Sequence, residues 1–165
     1  MKIEGSCYCG AVKFSVVSYT PYPFMRCYCS ICRKTAGAGG YAINIMAQAD
    51  TLKIQGEANI AHHQARLEDP DNPGKKNLSS TRRHFCRNCG SPLWVAHPEW
   101  KEWVYPFASS IDTPLPTPPE RVHLMLDFKA PWCEVPSGKA DQQFALYPGE
   151  SIADWHKRRG LYQEP

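Results

Sequence analysis

The sequence lacks a long apolar run and has little net charge, and each absence excludes a class of protein. No stretch approaches the roughly 20 apolar residues that a membrane-spanning helix needs, and the first residues lack the apolar core of a signal peptide. The 19 lysines and arginines exceed the 16 aspartates and glutamates only slightly, which is too little to indicate nucleic acid binding. We therefore expect a cytoplasmic protein that contacts neither membranes nor nucleic acids.

Long helices are disfavoured as well, because the chain has 15 prolines and 11 glycines. These residues interrupt helices and are common in the turns between short strands. A chain of 165 residues is long enough to bury a substantial core but short for two domains. We therefore predict a mainly β fold in which residues 1–165 form a single domain.

Local patterns predict short strands and two short helical segments. The predicted strands are residues 11–17, 41–46, 52–55, 58–65, 79–85, 92–97, 103–111 and 121–128. Ser30 is the expected N-cap of one or two helical turns over residues 30–36, and Ser151 of a terminal helix that stops at Gly160. Residues 68–77 are predicted to be a polar loop, and the proline-rich residues 112–120 a stiff surface connection.

Cysteines are the most informative residues of the sequence. Seven of the eight lie in three tight clusters, and Cys133 stands alone, where we expect a small buried residue. In a reducing compartment such short spacings favour thiolates that bind metal over disulfides. Zinc takes four such ligands in a structural site, but three plus an open position in a catalytic one. The sequence therefore predicts a zinc protein.

Seven clustered cysteines can be divided between two zinc ions in more than one way. In the first partition, a local tripod of Cys27, Cys29 and Cys32 forms the open site, and a closed four-sulfur site contains Cys7, Cys9, Cys86 and Cys89. In the second, the pairs 29/32 and 86/89 form a zinc ribbon, which leaves residues 7, 9 and 27 as the tripod. The middle cluster can also be a structural site with His84 as its fourth ligand. Spacing alone leaves these alternatives open.

Other residues are candidates for binding or proton transfer. Arg26, Arg33 and Lys34 flank the middle cluster and favour an anionic ligand. Backbone amides of residues 37–40 are candidates for binding a carboxylate. The candidate proton carriers are His62, His63 and His84. The aromatic residues that would form the contact face of a binding module are Trp94, Trp100, Trp103 and Tyr105.

Three blocks of sequence together resemble one known family. They are residues 5–12 (GSCYCGAV), 27–37 (CYCSICRKTAG) and 85–93 (FCRNCGSPL), followed by Pro131-Trp132 after the 121–127 strand. In sequence and spacing they are similar to the glutathione-dependent formaldehyde-activating enzymes. Three linked motifs are far more specific than one.

The resemblance implies a β-tent fold of small antiparallel sheets with two zinc ions per chain. It assigns Cys7, Cys9, Cys86 and Cys89 to a structural zinc, and Cys27, Cys29 and Cys32 to a catalytic zinc. It also implies a carbon–sulfur lyase that joins glutathione, a small anionic thiol, to formaldehyde or a related small aldehyde. The alternatives are a non-catalytic zinc module that binds a protein or carries a thiol, and a methionine sulfoxide reductase of the B type, which would have Cys133 as its reactive thiol.

Overall fold

A computed structural model describes residues 1–163 of the chain. The strands are β1 (Lys2–Ser6), β2 (Lys13–Val17), β3 (Met25–Cys27), β4 (Ala42–Ile43), β5 (Ala47–Gln48), β6 (Lys53–Gln55), β7 (Ile60–His63), β8 (Arg66–Asp69), β9 (Asn72–Leu78), β10 (Arg82–Cys86), β11 (Pro92–Ala96), β12 (Trp103–Pro106), β13 (Arg121–Leu124) and β14 (Asp141–Gln143). The α-helices are α1 (Ser30–Ala36) and α2 (Ile152–Arg158). Short 3₁₀ turns lie at Ala49–Thr51, Glu57–Asn59, Ala108–Ser110 and Leu126–Phe128.

These strands form small sheets. The strand orders are β1-β2-β6, β5-β12-β11-β10-β7, β14-β13-β3-β4 and the two-stranded ribbon β8-β9. Strand pairs are antiparallel except for β13, which runs parallel to both β3 and β14. Within residues 1–163, no helix has the length and apolar character that crossing a membrane requires.

The five-stranded sheet has two faces with different environments. On the core face, the side chains of His62, His84 and Trp94 form a row across β7, β10 and β11. Trp94 is 3% exposed there and packs edge to face against Phe14 of β2. The opposite face, which we call the outer face, carries a second row of His63, Arg83, Val95 and Tyr105. Successive residues of a strand point to opposite faces, so one sheet serves two separate clusters.

Helix α2 is attached to the four-stranded sheet by one buried aromatic side chain. Trp155 is 1% exposed, and its ring stacks on Phe24 with centroids 3.8 Å apart. Its indole N–H donates to Oε1 of Glu120 at 2.6 Å, and Arg159 and Gln142 donate to the other carboxylate oxygen. This buried carboxylate therefore joins the segment before β13 to the C-terminal helix.

The mainly β fold with short helical turns and a short C-terminal helix is confirmed. Ser151 caps α2 as predicted, since its side chain accepts from the Asp154 amide. The N-cap of α1 is Cys29 and not Ser30, because the Cys29 sulfur accepts from the Cys32 amide. The predicted strand 121–128 ends at Leu124, since Met125 adopts a left-handed conformation and a 3₁₀ turn follows.

The predicted polar loop over residues 68–77 is wrong. This segment forms most of the β8-β9 ribbon, in which Lys76 pairs with Glu68 across the strands. Nearly all of its residues are exposed, so the hydrophobic alternation by which a strand is usually detected is missing.

Candidate metal centre and active site

Four cysteines from two distant loops meet in what we call the four-sulfur cluster. Its members are Cys7, Cys9, Cys86 and Cys89, whose sulfur atoms all lie within 4.8 Å of one another. Cys7 and Cys9 follow β1, whereas Cys86 ends β10 and Cys89 lies in the tight turn between β10 and β11. Each turn contains a glycine with positive φ, Gly10 or Gly90, directly after its second cysteine. A glycine adopts this conformation without strain and lets the chain fold back towards the sulfur atoms.

The spacing of the four sulfur atoms fits a tetrahedral metal ion. Zinc–sulfur bonds of about 2.3 Å place neighbouring sulfurs about 3.8 Å apart. The Cys7 and Cys9 sulfurs are 3.5 Å apart, and those of Cys9 and Cys86 are 3.8 Å apart. All eight cysteines are free thiols, so these contacts are not disulfides. Soft sulfur donors at this spacing are suited to zinc.

Three further cysteines form what we call the cysteine tripod. Cys27 ends β3, Cys29 caps α1 and Cys32 lies in its first turn, and their sulfurs also lie within 4.8 Å of one another. Among the described residues, no histidine or carboxylate joins this group. His84 lies on the core face of the sheet, away from the tripod, so the structure does not place it as a fourth ligand. The sulfurs are thus grouped as four and three, and not as a ribbon of 29/32 with 86/89.

The three tripod thiols alter one another's pKa values. Hydrogen bonds from the thiols of Cys27 and Cys32 hold the pKa of Cys29 far below its ordinary value. Hydrogen bonds with Cys29 and Cys32, together with burial, raise the pKa of Cys27. One thiolate therefore forms readily in the cluster, and the remaining protons are released when a cation binds.

A buried polar chain supports the tripod from behind. Tyr28, between two tripod cysteines, is fully buried, and its hydroxyl lies 2.8 Å from Nδ1 of His123. Nε2 of His123 is 3.1 Å from Asp141, which also accepts two hydrogen bonds from Arg121. The sequence does not predict this row of hydrogen-bonded side chains, because its members are up to 113 positions apart, as Tyr28 and Asp141 are.

Two residues of the tripod's surroundings stand out by their charge and position. Arg83 pairs across the strands with Val95, which packs in one apolar cluster with the three tripod cysteines. The hydrogen bond with Cys27 lowers the pKa of Cys32, but the contact with Cys29 and burial outweigh it and raise this pKa to about 11, and the positive charge of Arg83 offsets only a part of the rise. Tyr147 is 72% exposed; partial desolvation, and then the charges of the three tripod cysteines, raise its pKa. Its hydroxyl is therefore within electrostatic range of the whole tripod.

The predicted proton carriers lie elsewhere. His62 and His84 lie side by side on the core face, where their rings are tilted and the ring centroids are 5.8 Å apart. Burial, and then the charge of His62, lowers the pKa of His84 to about 4. His63 is exposed on the outer face beside Arg83. Two of the three histidines are therefore turned away from the tripod.

The flanking cations and glycines are also separated by the fold. Arg26 lies over the ring of Tyr41 at 4.8 Å, on the side of β3 opposite to Cys27. Arg33 and Lys34 line an open cleft of about 710 Å³ between α1 and the Cys7 loop. In the glycine-rich segment 37–40, the amides of Gly37 and Gly40 already donate to carbonyls within the chain.

Cys133 packs closely against this glycine-rich segment. A Cβ atom on Gly40, which has a φ of +93°, would lie 2.4 Å from the Cys133 sulfur. Cys133 is 5% exposed and packs with Tyr28 and Ala130, as expected for a small apolar residue.

The aromatic residues proposed as a contact face do not form one surface. Trp94 is in the core, whereas Trp100 is 41% exposed and packs edge to face against Tyr105. Trp103 is half-buried in β12.

Comparison with known proteins gives a consistent assignment. The family model for the glutathione-dependent formaldehyde-activating enzyme matches residues 2–125. A Halomonas elongata protein, provisionally named a glutathione-dependent formaldehyde-activating enzyme, is 57% identical over 161 residues, which cover 98% of each chain. A crystal structure of a Rhodobacter sphaeroides protein aligns with a TM-score of 0.46 and 23% identity, over 68% of this chain and 91% of that one. The chain belongs to the glutathione-dependent formaldehyde-activating enzyme family.

Proposed function

We propose that this protein is a zinc-dependent carbon–sulfur lyase that interconverts glutathione and formaldehyde, or a related small aldehyde, with the S-hydroxyalkyl thiol. The family assignment and the name of the Halomonas relative support glutathione-dependent formaldehyde activation. The observation that carries the proposal is the tripod: three sulfurs, with no fourth protein ligand among residues 1–163. Three protein ligands are typical of a zinc site that also binds a substrate.

The two clusters then have different tasks. The four-sulfur cluster holds a structural zinc that links the first strand to the β10-β11 turn and stabilises the fold. The tripod holds the second zinc, whose positive charge lowers the pKa of a bound thiol enough to give a nucleophile at neutral pH. In this proposal residues 1–165 are one zinc-binding domain that acts in the cytoplasm.

The proposed reaction joins one thiol to one aldehyde. The glutathione thiol loses its proton, and its sulfur forms a bond to the aldehyde carbon. The electron pair of the carbonyl π bond moves to the oxygen, which takes up a proton and becomes the hydroxyl of the hydroxyalkyl thiol. The reverse reaction breaks the carbon–sulfur bond and releases the aldehyde. No oxidant or reductant is needed in either direction.

The chain provides a candidate donor for the oxygen that gains charge. A tyrosine hydroxyl is protonated at neutral pH, and the raised pKa of Tyr147 only strengthens this tendency. A protonated hydroxyl beside the tripod is suited to donate a hydrogen bond to the developing alkoxide. The histidines on the core face do not meet this requirement because their side chains lie on the other side of the sheet.

Exchange spectroscopy with ¹³C-labelled formaldehyde and glutathione tests this function. We expect zinc-loaded protein to accelerate the interconversion of free and thiol-bound label above the rate of the protein-free mixture. Cys29→Ala should abolish the acceleration, whereas Tyr8→Phe, in the exposed Cys-Tyr-Cys turn, should retain it. An exchange rate equal to that of the protein-free mixture would contradict the proposal. If glutathione nevertheless bound to the protein, that result would favour a non-catalytic thiol carrier.

A further inference from the structure

Arg83 is a half-buried cation whose Nε–H has no partner in the described part of the protein. Its Nε atom is shielded from solvent and has no hydrogen-bond partner among residues 1–163. Within the same range, no Asp or Glu forms a salt bridge with it. A buried guanidinium N–H without a partner costs free energy, so a site that keeps one requires an explanation.

The register of the sheet fixes the side to which Arg83 points. Arg83 stands opposite Val95 on the outer face, and Val95 is 7% exposed within the apolar cluster that includes Cys32. Tyr105, the next member of this row, packs on the same cluster. The guanidinium is therefore directed towards the tripod.

The other two arginines with an unpartnered Nε have different surroundings. Arg26 lies over an aromatic ring, and Arg33 lines the cleft between α1 and the Cys7 loop. Arg83 instead stands beside Val95, which packs with the tripod cysteines. The planar fork of a guanidinium suits the two oxygens of a carboxylate.

We propose that Arg83 binds a carboxylate of the thiol substrate and thereby makes the site prefer anionic thiols over neutral ones. This inference rests on the function proposed above, in which a thiol occupies the tripod. A bound substrate would satisfy the Arg83 fork while its sulfur lies over the three cysteines. Arg83 is then a residue that determines specificity, and it does not move a proton.

Calorimetric titration of the zinc-loaded protein tests the proposal without relying on turnover. The two ligands are glutathione and its diethyl ester, which has the same thiol but no free carboxylate. In the wild type we expect glutathione to bind more tightly than the diester. Arg83→Gln should weaken glutathione binding roughly 10- to 100-fold, the usual effect of losing a charge-assisted hydrogen bond, and should change diester binding less than about threefold.

The neighbouring arginine provides a matched control. Arg82 lies in the same strand but is exposed. It pairs with Ala96 on the core face, whereas Arg83 is on the outer face. Arg82→Gln removes the same charge from the chain and should leave both affinities unchanged. Arg83→Lys retains the charge beside the cysteines but loses the planar fork, so we expect an intermediate loss for glutathione only. This variant also provides the test if Arg83→Gln does not fold.

The possible failures can be distinguished from one another. An equal loss of both ligands in Arg83→Gln would mean that Arg83 only balances the charge of the cysteine thiolates, which would overturn the inference. Unchanged glutathione binding in both Arg83 variants would overturn it as well, while leaving the proposed function intact. A wild type that binds neither thiol would overturn the function and the inference together.

Discussion

The hydroxyl of Tyr28 lies 2.8 Å from Nδ1 of His123, deep behind the tripod, whereas Tyr8 is 95% exposed. Both tyrosines stand in the middle of a Cys-Tyr-Cys triplet. In the first triplet the tyrosine points to solvent, while both sulfurs face their cluster. In the second, the tyrosine anchors the loop that carries two tripod sulfurs. The same three residues are therefore used in opposite ways in the two cysteine clusters.

This contrast gives a paired stability test. Tyr28→Phe leaves Nδ1 of His123 buried without its partner, so we expect a loss of about 1–3 kcal/mol in the free energy of unfolding. Tyr8→Phe alters an exposed hydroxyl and should change the free energy by no more than about 0.5 kcal/mol. Urea unfolding monitored by circular dichroism measures both. Equal free energies of unfolding for the two variants would show that the Tyr28 hydroxyl does not stabilise the loop that carries the tripod.

His123 should also make stability depend on pH. Burial is the main cause that lowers the pKa of this histidine, and the hydrogen bond that it donates to Asp141 opposes the effect of burial only in part. The unfolded chain therefore takes up a proton near pH 6.5 that the folded protein resists, and stability falls as the pH drops through that value. His123→Gln should make this fall shallower between pH 7.5 and 6. Burial also lowers the pKa values of His84 and His156, so part of the slope should remain.

Thermal unfolding at several pH values measures this slope. His63→Gln, which alters an exposed histidine, is the control and should follow the wild type. A His123→Gln slope as steep as that of the wild type would show that His123 takes up its proton equally in both states.

The two cysteine clusters should differ in how the loss of their zinc affects folding. We expect about two zinc ions per chain in protein kept reduced and free of chelators. Cys86→Ala should abolish stable folding, because a structural zinc contributes folding free energy directly. Cys29→Ala should lose one zinc and remain folded, since the tripod joins only six consecutive residues. Elemental analysis measures the zinc content, and circular dichroism measures folding. A folded Cys86→Ala variant with one zinc would contradict a structural role for the four-sulfur cluster.

Tyr147→Phe should slow the reaction while leaving glutathione affinity unchanged. The hydroxyl is expected to act on the oxygen that gains charge, and removal of such a donor costs about tenfold or more in rate. Tyr105→Phe is the control, because it removes a tyrosine hydroxyl from a residue that packs against the tripod cysteines. Exchange spectroscopy gives the rate, and calorimetry gives the affinity. A tenfold weaker affinity with an unchanged rate would instead make Tyr147 a binding residue.

Sequence reasoning is strongest where chemistry is local. The spacing within each cysteine cluster indicates metal ligands directly, because few other uses suit such pairs in a reduced protein. How the clusters combine depends on the path of the chain: Cys9 and Cys86 are 77 positions apart and meet only because β1 and β10 end side by side. Spacing alone therefore left two partitions open, while the fold groups the sulfurs as four and three.

The surroundings of the tripod were harder to predict, for a related reason. Arg82 and Arg83 are consecutive and chemically identical, and only the strand register shows which one faces the cysteines. Tyr147 follows an irregular segment in which the Leu146 carbonyl accepts from the Met125 amide, and no local pattern links it to residues near position 30. The histidines were the obvious proton carriers by type, but the alternation of β10 turns His84 into the core.

The cysteines of the tripod are close together along the sequence and those of the four-sulfur cluster are far apart, and this difference has a consequence for the newly made chain. The tripod is complete once residue 32 has been synthesised, whereas the four-sulfur cluster must wait for Cys89. Closing the loop between Cys9 and Cys86 costs about 2 kcal/mol more in chain entropy than closing one of a few residues. If both clusters bind zinc as proposed, a growing chain that meets scarce zinc should fill the tripod first and the four-sulfur cluster last. Metal starvation should consequently leave chains that are metallated at the tripod but not yet closed, and these chains would be exposed to proteolysis.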